Sequence, residues 1–275
     1  MSTSIHRLTI NVRDLAIIQS PRNIVLSRHT LIAAACFVFF GARLAFAQGG
    51  PPMMTDDPGT PGNRHWEINV AGILERSSGE NQFEIPALDI NYGAGDHVQL
   101  KLECAWLLQQ HSDSGTKSGL GNAVAGVKWR FLDEEGDGVS MSIYPQIEWN
   151  MSPSSVRRDL VERGTHLILP AEISRGVGPF EFAAEAGYVV GINAADEWIL
   201  GLVGAWPVNE KLAILAELHS DLPADFGSRQ LTANFGTRVK LTGHVALLAS
   251  VGHDLLSRGD EYRSILSYLG FQFTF

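Results

Sequence analysis

The sequence predicts an all-β fold: a single antiparallel transmembrane β-barrel of about 12 strands, with short periplasmic turns and longer extracellular loops. Three observations predict it. Apolar and polar residues alternate over most of the chain after residue 63, in segments of about ten to thirteen residues, and aromatic residues gather at the segment ends. A tilted strand needs roughly nine to eleven residues to cross a bilayer, whereas soluble strands average about five or six.

Leu31 to Phe40 is an apolar run with Arg22 and Arg28 ahead of it, and Ala45-Phe46-Ala47 forms a small-x-small site before Gln48. This pattern predicts a secretory signal peptide over residues 1–47, cut between Ala47 and Gln48. A lipoprotein signal at Cys36 is the alternative, but the apolar run continues past Cys36, where a lipobox would end. The n-region is long, and a start at Val25 would shorten it. Removal of residues 1–47 leaves 228 residues, with 16 basic against 29 acidic side chains. That length suits one domain, and that charge disfavours nucleic acid as a partner. Cys104 is then the sole cysteine, so no intramolecular disulfide can form. No run of 18 apolar residues follows, so no membrane-spanning helix is expected.

Residues 48–63 include "TDDPGTPGN" and read as a periplasmic lead-in. Pro58 and Pro61 cannot donate ladder hydrogen bonds, so they hold off the first strand. The lead-in is either an acidic linker, or Asp56 and Asp57 fold back to line the periplasmic mouth. The barrel itself is expected over 64–275. Its segments are 64–74, 82–92, 97–109, 119–131, 139–149, 165–173, 179–190, 197–206, 211–218, 229–240, 244–251 and 262–275. In 97–109, Leu100, Leu102 and Trp106 share one face and Gln99, Lys101 and Glu103 the other. In 139–149, Met141, Ile143, Ile147 and Trp149 oppose Ser142, Tyr144, Gln146 and Glu148. Successive strand side chains point to opposite faces, so each segment has one lipid-compatible side and one wet side.

The connections after odd-numbered segments are longer than those after even-numbered ones, and an even strand count puts both termini on the periplasmic side. Trp66, Tyr92, Trp129, Phe131, Phe180, Phe182 and Trp206 fall at predicted periplasmic ends, while Phe83, Trp149, Tyr188 and Trp198 fall at outer ends. Such belts suit rings that settle at headgroup level. The final segment places Phe271, Phe273 and Phe275 on one face, similar to the C-terminal signal that barrel-assembly machinery reads.

The polar face predicts a lumen lined by Glu67, Asn69, Asp89, Lys101, Glu103, Lys128, Arg130, Gln146, Glu148, Glu172, Glu185, Glu217, Arg238 and Lys240. This set either pairs into a plug or lines a water-filled path, and its surplus of acids favours cations or neutral solutes over anions. His219-Ser220 and His111-Ser112 are adjacent His-Ser pairs, but adjacency is no evidence of a hydrogen bond between them. The histidines form no HxH or HExxH pattern and no Cys/His cluster. "GLGNAVAG" at 119–126 lacks phosphate-loop spacing, and "DEEGDG" at 133–138 is too short for a calcium loop. No catalytic, metal or cofactor residues are assigned.

Three stretches carry a resemblance: "TDDPGTPGNRHWEIN" before the first strand, "IPALDINYG" in the second and "GLGNAVAGVKWRF" in the fourth. Together they resemble the outer-membrane family of the MetA pathway of phenol degradation. The resemblance covers most of the chain after residue 47. It implies a barrel that assists passage of aromatic or other hydrophobic compounds, and it brings no catalytic residues. The expected object is a channel in the outer membrane of a Gram-negative cell. Its expected partners are outer-membrane lipid, the assembly machinery and a small-molecule solute. A structural or adhesive barrel with a plugged lumen, acting through loops such as 150–164, is the first alternative. A barrel-wall lipid hydrolase is the second.

Overall fold

The computed structural model describes residues 49–112, 115–133, 138–226, 229–257 and 262–275. The signal peptide, its cleavage pair Ala47 and Gln48, and residues 134–137 of the acidic turn lie outside the described residues. Thirteen strands follow one another: β1 (Trp66–Ser77), β2 (Glu80–Gly93), β3 (Val98–His111), β4 (Gly115–Asp133), β5 (Val139–Ile143), β6 (Gln146–Asn150), β7 (Thr165–Val177), β8 (Phe180–Ile192), β9 (Glu197–Pro207), β10 (Leu212–Pro223), β11 (Gln230–Lys240), β12 (Val245–Ser257) and β13 (Ile265–Thr274). One short helix, α1 (Pro153–Arg157), lies between β6 and β7.

Strands pair antiparallel with their sequence neighbours except that β5 and β6 each pair with β4 and β7, and β1 pairs with β13 from Glu67↔Thr274 to Arg76↔Ile265. The sheet is therefore closed, which satisfies every edge in lipid. β5 and β6 are two halves of one stave, because both sit between β4 and β7. The break falls at Tyr144-Pro145, and Pro145 has no N–H to give. Its carbonyl still accepts from Val127 N at 3.0 Å, and Tyr144 N donates to Pro170 O at 3.0 Å. The result is a 12-stave transmembrane barrel, matching the predicted fold class.

The two faces separate as the period-two pattern requires. Leu100, Leu102, Trp106, Ile214, Leu218, Leu269 and Phe271 point outward and are 44–61% exposed, an apolar belt that only lipid makes stable. Trp66 and Tyr92 stack at 4.7 Å and Phe180 and Trp206 at 6.3 Å near the end that carries the short turns; Tyr188 and Trp198 pair at 4.7 Å toward the other. These ends are called the turn end and the loop end below.

Strands run further toward the loop end than the sequence pattern indicates. β1 and β2 are joined through residues 78–79, and β3 and β4 through 112–114, so much of that end is extended strand. Residues 151–164, between β6 and β7, form the longest connection.

Candidate functional site: a lumen occupied by the N-terminal segment

The segment expected as a lead-in outside the wall instead turns back into the barrel. This corrects the reading of 48–63 as a periplasmic linker and lies nearer its alternative, with Asp56 and Asp57 folded back. Thr55 has no exposed surface, and Met53 and Asp57 are each 5% exposed. Met53 packs with Val203, Ala205 and Leu215, inward residues of β9 and β10, in a small apolar cluster inside the lumen. Buried backbone must find hydrogen-bond partners. Pro51, Pro52 and Pro58 have no N–H to satisfy, Met53 N and Asp57 N bond within the segment to Gly50 O and Asp56 Oδ1, and wall carboxylates accept from the three donors between. Met54 N and Thr55 N donate to the two oxygens of Glu217 at 3.2 and 2.6 Å, and Asp56 N donates to Glu185 Oε2 at 2.9 Å. On the other side, Arg238 Nη2 donates to Pro51 O at 2.9 Å and Ser250 Oγ to Pro52 O at 2.8 Å.

Lys128 is the electrostatic centre of the plug. Its Nζ lies 2.9 Å from Asp56 Oδ1 and 3.2 Å from Glu172 Oε2, also donates to Asp57 O, and stands 4.5 Å from the centroid of the Tyr144 ring. Its side chain is 1% exposed. Burial pushes the Asp56 carboxyl up, but Lys128 and Lys101, with its hydrogen bonds, outweigh this and hold it below the ordinary value. Burial also pushes Asp57 up, and there Lys128 does not fully compensate. The wall is cut back where the plug rests. A Cβ on Gly201 would stand 2.1 Å from Thr55 Oγ1, and one on Gly236 would stand 2.2 Å from Met53 Cε. The segment returns to the wall at the turn end, where Thr60 Oγ1 donates to Asp96 O at 2.8 Å and Arg64 N to Gly93 O at 2.8 Å.

Toward the loop end lies a cavity of about 1160 Å³, bordered by Pro51 of the plug at one side and by the 151–164 connection at another. That connection folds inward. Ser155 is fully buried, Leu160 is 4% exposed, and both pack where a Cβ on Gly119 would be. Asn150 pins its far side, donating from Nδ2 to Glu162 O at 2.7 Å and accepting from Gly164 N at 3.1 Å.

Most of the sequence-predicted lumen residues fall into two groups. Lys128, Glu172, Glu185, Glu217 and Arg238 meet at or around the plug. Asn69, Asp89, Glu103 and Glu148 line the cavity. Glu67 accepts from Asn69 Nδ2 at 3.4 Å, and Lys101 pairs with Glu103 at 3.0 Å. Glu148 pairs with His166 at 3.0 Å, and Gln146 packs where a Cβ on Gly126 would be. Arg130 and Lys240 stand apart at the turn end, Arg130 bridging Asp133 at 3.1 Å and donating to Asp96 O. Sequence reasoning missed Met53 and Thr55 as lumen residues and missed the inward course of 151–164. Inward-facing Gly201 and Gly236, in otherwise regular strands, were the signal that something lies against the wall.

The hydrolase alternative finds no support in the hydroxyls. Ser220 Oγ donates to Gln230 O at 2.5 Å and Ser112 Oγ to Gly79 O at 3.2 Å, not to the adjacent histidines. His219 instead sits between Thr55 Oγ1 and Asp221 Oδ1, each at 3.2 Å. This is a Thr-His-Asp chain, but Thr55 has no exposed surface for an acyl group to reach.

No family model matches the chain, and no curated protein matches it either. Solved structures do. The COG4313 outer membrane channel from Pseudomonas putida F1 aligns with a TM-score of 0.60 at 12% identity, over 83% of this chain and 100% of that one. The NanC porin aligns at 0.54 with 9% identity, over 75% and 98% of the two chains. The KdgM porin aligns at 0.52 with 11% identity, over 75% and 99%. At these identities the likeness establishes the barrel fold.

Proposed function

We infer that the protein is a passive outer-membrane channel for small solutes, closed by its own N-terminal segment. The observation that supports this reading best is the way the lumen is filled. A barrel packed shut by its wall residues would leave no space. Here one segment, held mainly by hydrogen bonds and one lysine, occupies the constriction, and about 1160 Å³ stays open beside it. Fold likeness to two porins and an outer membrane channel supports the same reading. So does the resemblance of Thr55–Asn69 and the second and fourth strands to the MetA-pathway family, from which aromatic or hydrophobic compounds are the proposed solutes. The 151–164 loop buries Ser155 and Leu160 against the wall, which favours the channel over the adhesive alternative.

Deleting residues 49–60 tests the reading. The refolded variant, checked for heat-modifiable migration, is expected to conduct in planar bilayers well above the parent chain. A folded variant that conducts no more than the parent would refute the channel.

A further inference from the structure

The cavity beside the plug carries a charge pattern that passive passage leaves unexplained. Eight carboxylates line it against two arginines. Arg263 bridges Glu75 at 3.7 Å and Asp254 Oδ1 at 3.3 Å and donates to Thr232 Oγ1 at 2.8 Å, while Lys101 pairs with Glu103 and His166 with Glu148, each at 3.0 Å. Glu84 makes no hydrogen bond or ion pair among the described residues, and the charged groups that act on it are Glu75, Glu103 and Glu148. A second, independent feature lines the same space. Asn69 is 1% and Gln109 8% exposed. Each turns its NH₂ toward a carboxylate: Asn69 Nδ2 donates to Asp89 Oδ2 at 3.1 Å, and Gln109 Nε2 donates to Glu80 Oε1. Those bonds fix which way the amides point. The oxygens Asn69 Oδ1 and Gln109 Oε1 are left buried with no donor. A buried acceptor without a donor is costly, and native structures rarely keep one idle. The cavity therefore offers acceptors and asks for donors.

The donor must carry more than charge. Among the described residues no three His, Cys, Asp or Glu side chains converge to hold a metal ion. The carboxylates come instead from separate strands, β1, β2, β3 and β6, and from the 151–164 loop. Between them lie Ile73, Leu107, Val124, Val156 and Leu160. Spaced acceptors with apolar wall between them fit a cation that has an apolar body. We propose that this cavity is a binding subsite for protonated organic amines whose ammonium group meets Glu84 beside the buried amide oxygen of Gln109, two residues along the β2–β3 ladder, while the hydrocarbon lies on the aliphatic wall. This deepens the channel reading and rests on it for the amine's route, though not for its binding.

The test uses the refolded chain from Gln48 in micelles, with protein-free micelles as blank, and calorimetric titration of three probes of one shape: 2-phenylethylamine, 2-phenylethanol and phenylacetate. The amine is expected to bind at least tenfold more tightly than the alcohol and the anion not at all. Glu84→Gln is expected to weaken the amine about five- to tenfold and leave the alcohol unchanged. Equal binding of amine and alcohol, or an amine unaffected by Glu84→Gln, would overturn the proposal, as would displacement of the amine by equimolar Mg²⁺. Potassium conductance of the plug-deleted chain separates the two readings. Conductance without amine preference removes the subsite and leaves the channel; amine binding without conductance does the reverse.

Discussion

Replacing Lys128 by methionine tests whether the plug is held by charge. Methionine keeps the length and packing of the side chain and removes the ammonium. In the native lumen that ammonium meets Asp56 at 2.9 Å and Glu172 at 3.2 Å, with the lysine side chain 1% exposed. Removing one partner of a buried pair costs about 3–5 kcal/mol, because the carboxylates left behind have lost their counter-ion. Asp56 keeps 25% of its side chain exposed and can rehydrate, which favours the low end. Glu172 has no exposed side-chain surface, so it cannot recover without motion. Withdrawal of the segment relieves part of that cost, so the penalty acts on docking. A shift of about 3 kcal/mol changes the ratio of docked to withdrawn states roughly 150-fold. The assay is single-channel recording in planar bilayers, read as the fraction of time open, alongside protease cleavage near Asp56-Asp57. The variant is expected to open far more often and to be cleaved, while Asp56→Asn in the Lys128→Met background restores part of the closure. Unchanged open time and unchanged protease resistance would refute the electrostatic account of closure.

Three further outcomes follow from the same geometry. Asp56 and Asp57 should respond to acid with opposite signs. Asp56 is held below its ordinary value of about 4 when docked, so its contribution is present above that pH and lost as the pH falls through the docked value. Asp57 is raised when docked, so protonation relieves its burial and strengthens docking as the pH falls. Open time in Asp57→Asn should therefore rise as the pH falls below about 4, and in Asp56→Asn it should fall as the pH comes down toward about 4; a common direction would contradict the assignment. Gly201→Val places a side chain where Thr55 Oγ1 now lies 2.1 Å from the Cβ position, and is expected to open the channel without changing its heat-modifiable migration. Phe275 is 61% exposed to the lipid side, while its backbone bonds to Trp66 at 3.0 and 3.1 Å close the seam. Phe275→Ala is proposed to lower the yield assembled in cells and to leave the unfolding temperature of refolded barrel unchanged; the reverse pattern would remove its role as an assembly signal.

The wall was legible in the sequence because lipid on one side and water on the other impose the period of two. That is why Leu100 and Leu102 fall outside and Gln99 and Lys101 inside, as expected. Strand ends were less legible for the same reason. β10 continues through Ser220 and Asp221 to Pro223, and β12 through Gly252 and Asp254 to Ser257, beyond the alternating stretches. There the outward positions rise out of the lipid, both faces meet water, and the pattern fades. Pro145 marked the break in the fifth stave, since a proline within a strand pattern removes a ladder bond. The plug was not legible. It has no period to betray its environment, and its partners lie far along the chain: Lys128 is 72 residues from Asp56 and Glu217 162 residues from Thr55. Alternation tells which face a residue takes, but not which distant segment will share that space.

The composition of the plug argues that it is a movable element rather than a misplaced piece of core. Met53 is its one side chain in the buried apolar cluster among the described residues. A single methionine cannot outweigh the conformational entropy of ordering the whole segment. What remains is polar: backbone N–H groups on Glu217 and Glu185, carbonyls taken by Arg238 and Ser250, and the Lys128 pair. Such contacts contribute little net free energy each, because water replaces them on release. A core built this way would be poor, but a closure that must both hold and let go is well served by it. Backbone amides also satisfy Glu217 and Glu185 without bringing charge of their own. Once the segment leaves, those two carboxylates face the lumen water directly. On the proposed channel reading, the residues that hold the segment would then also set a negative field along the open path, so closure and cation preference would be two consequences of one set of wall carboxylates.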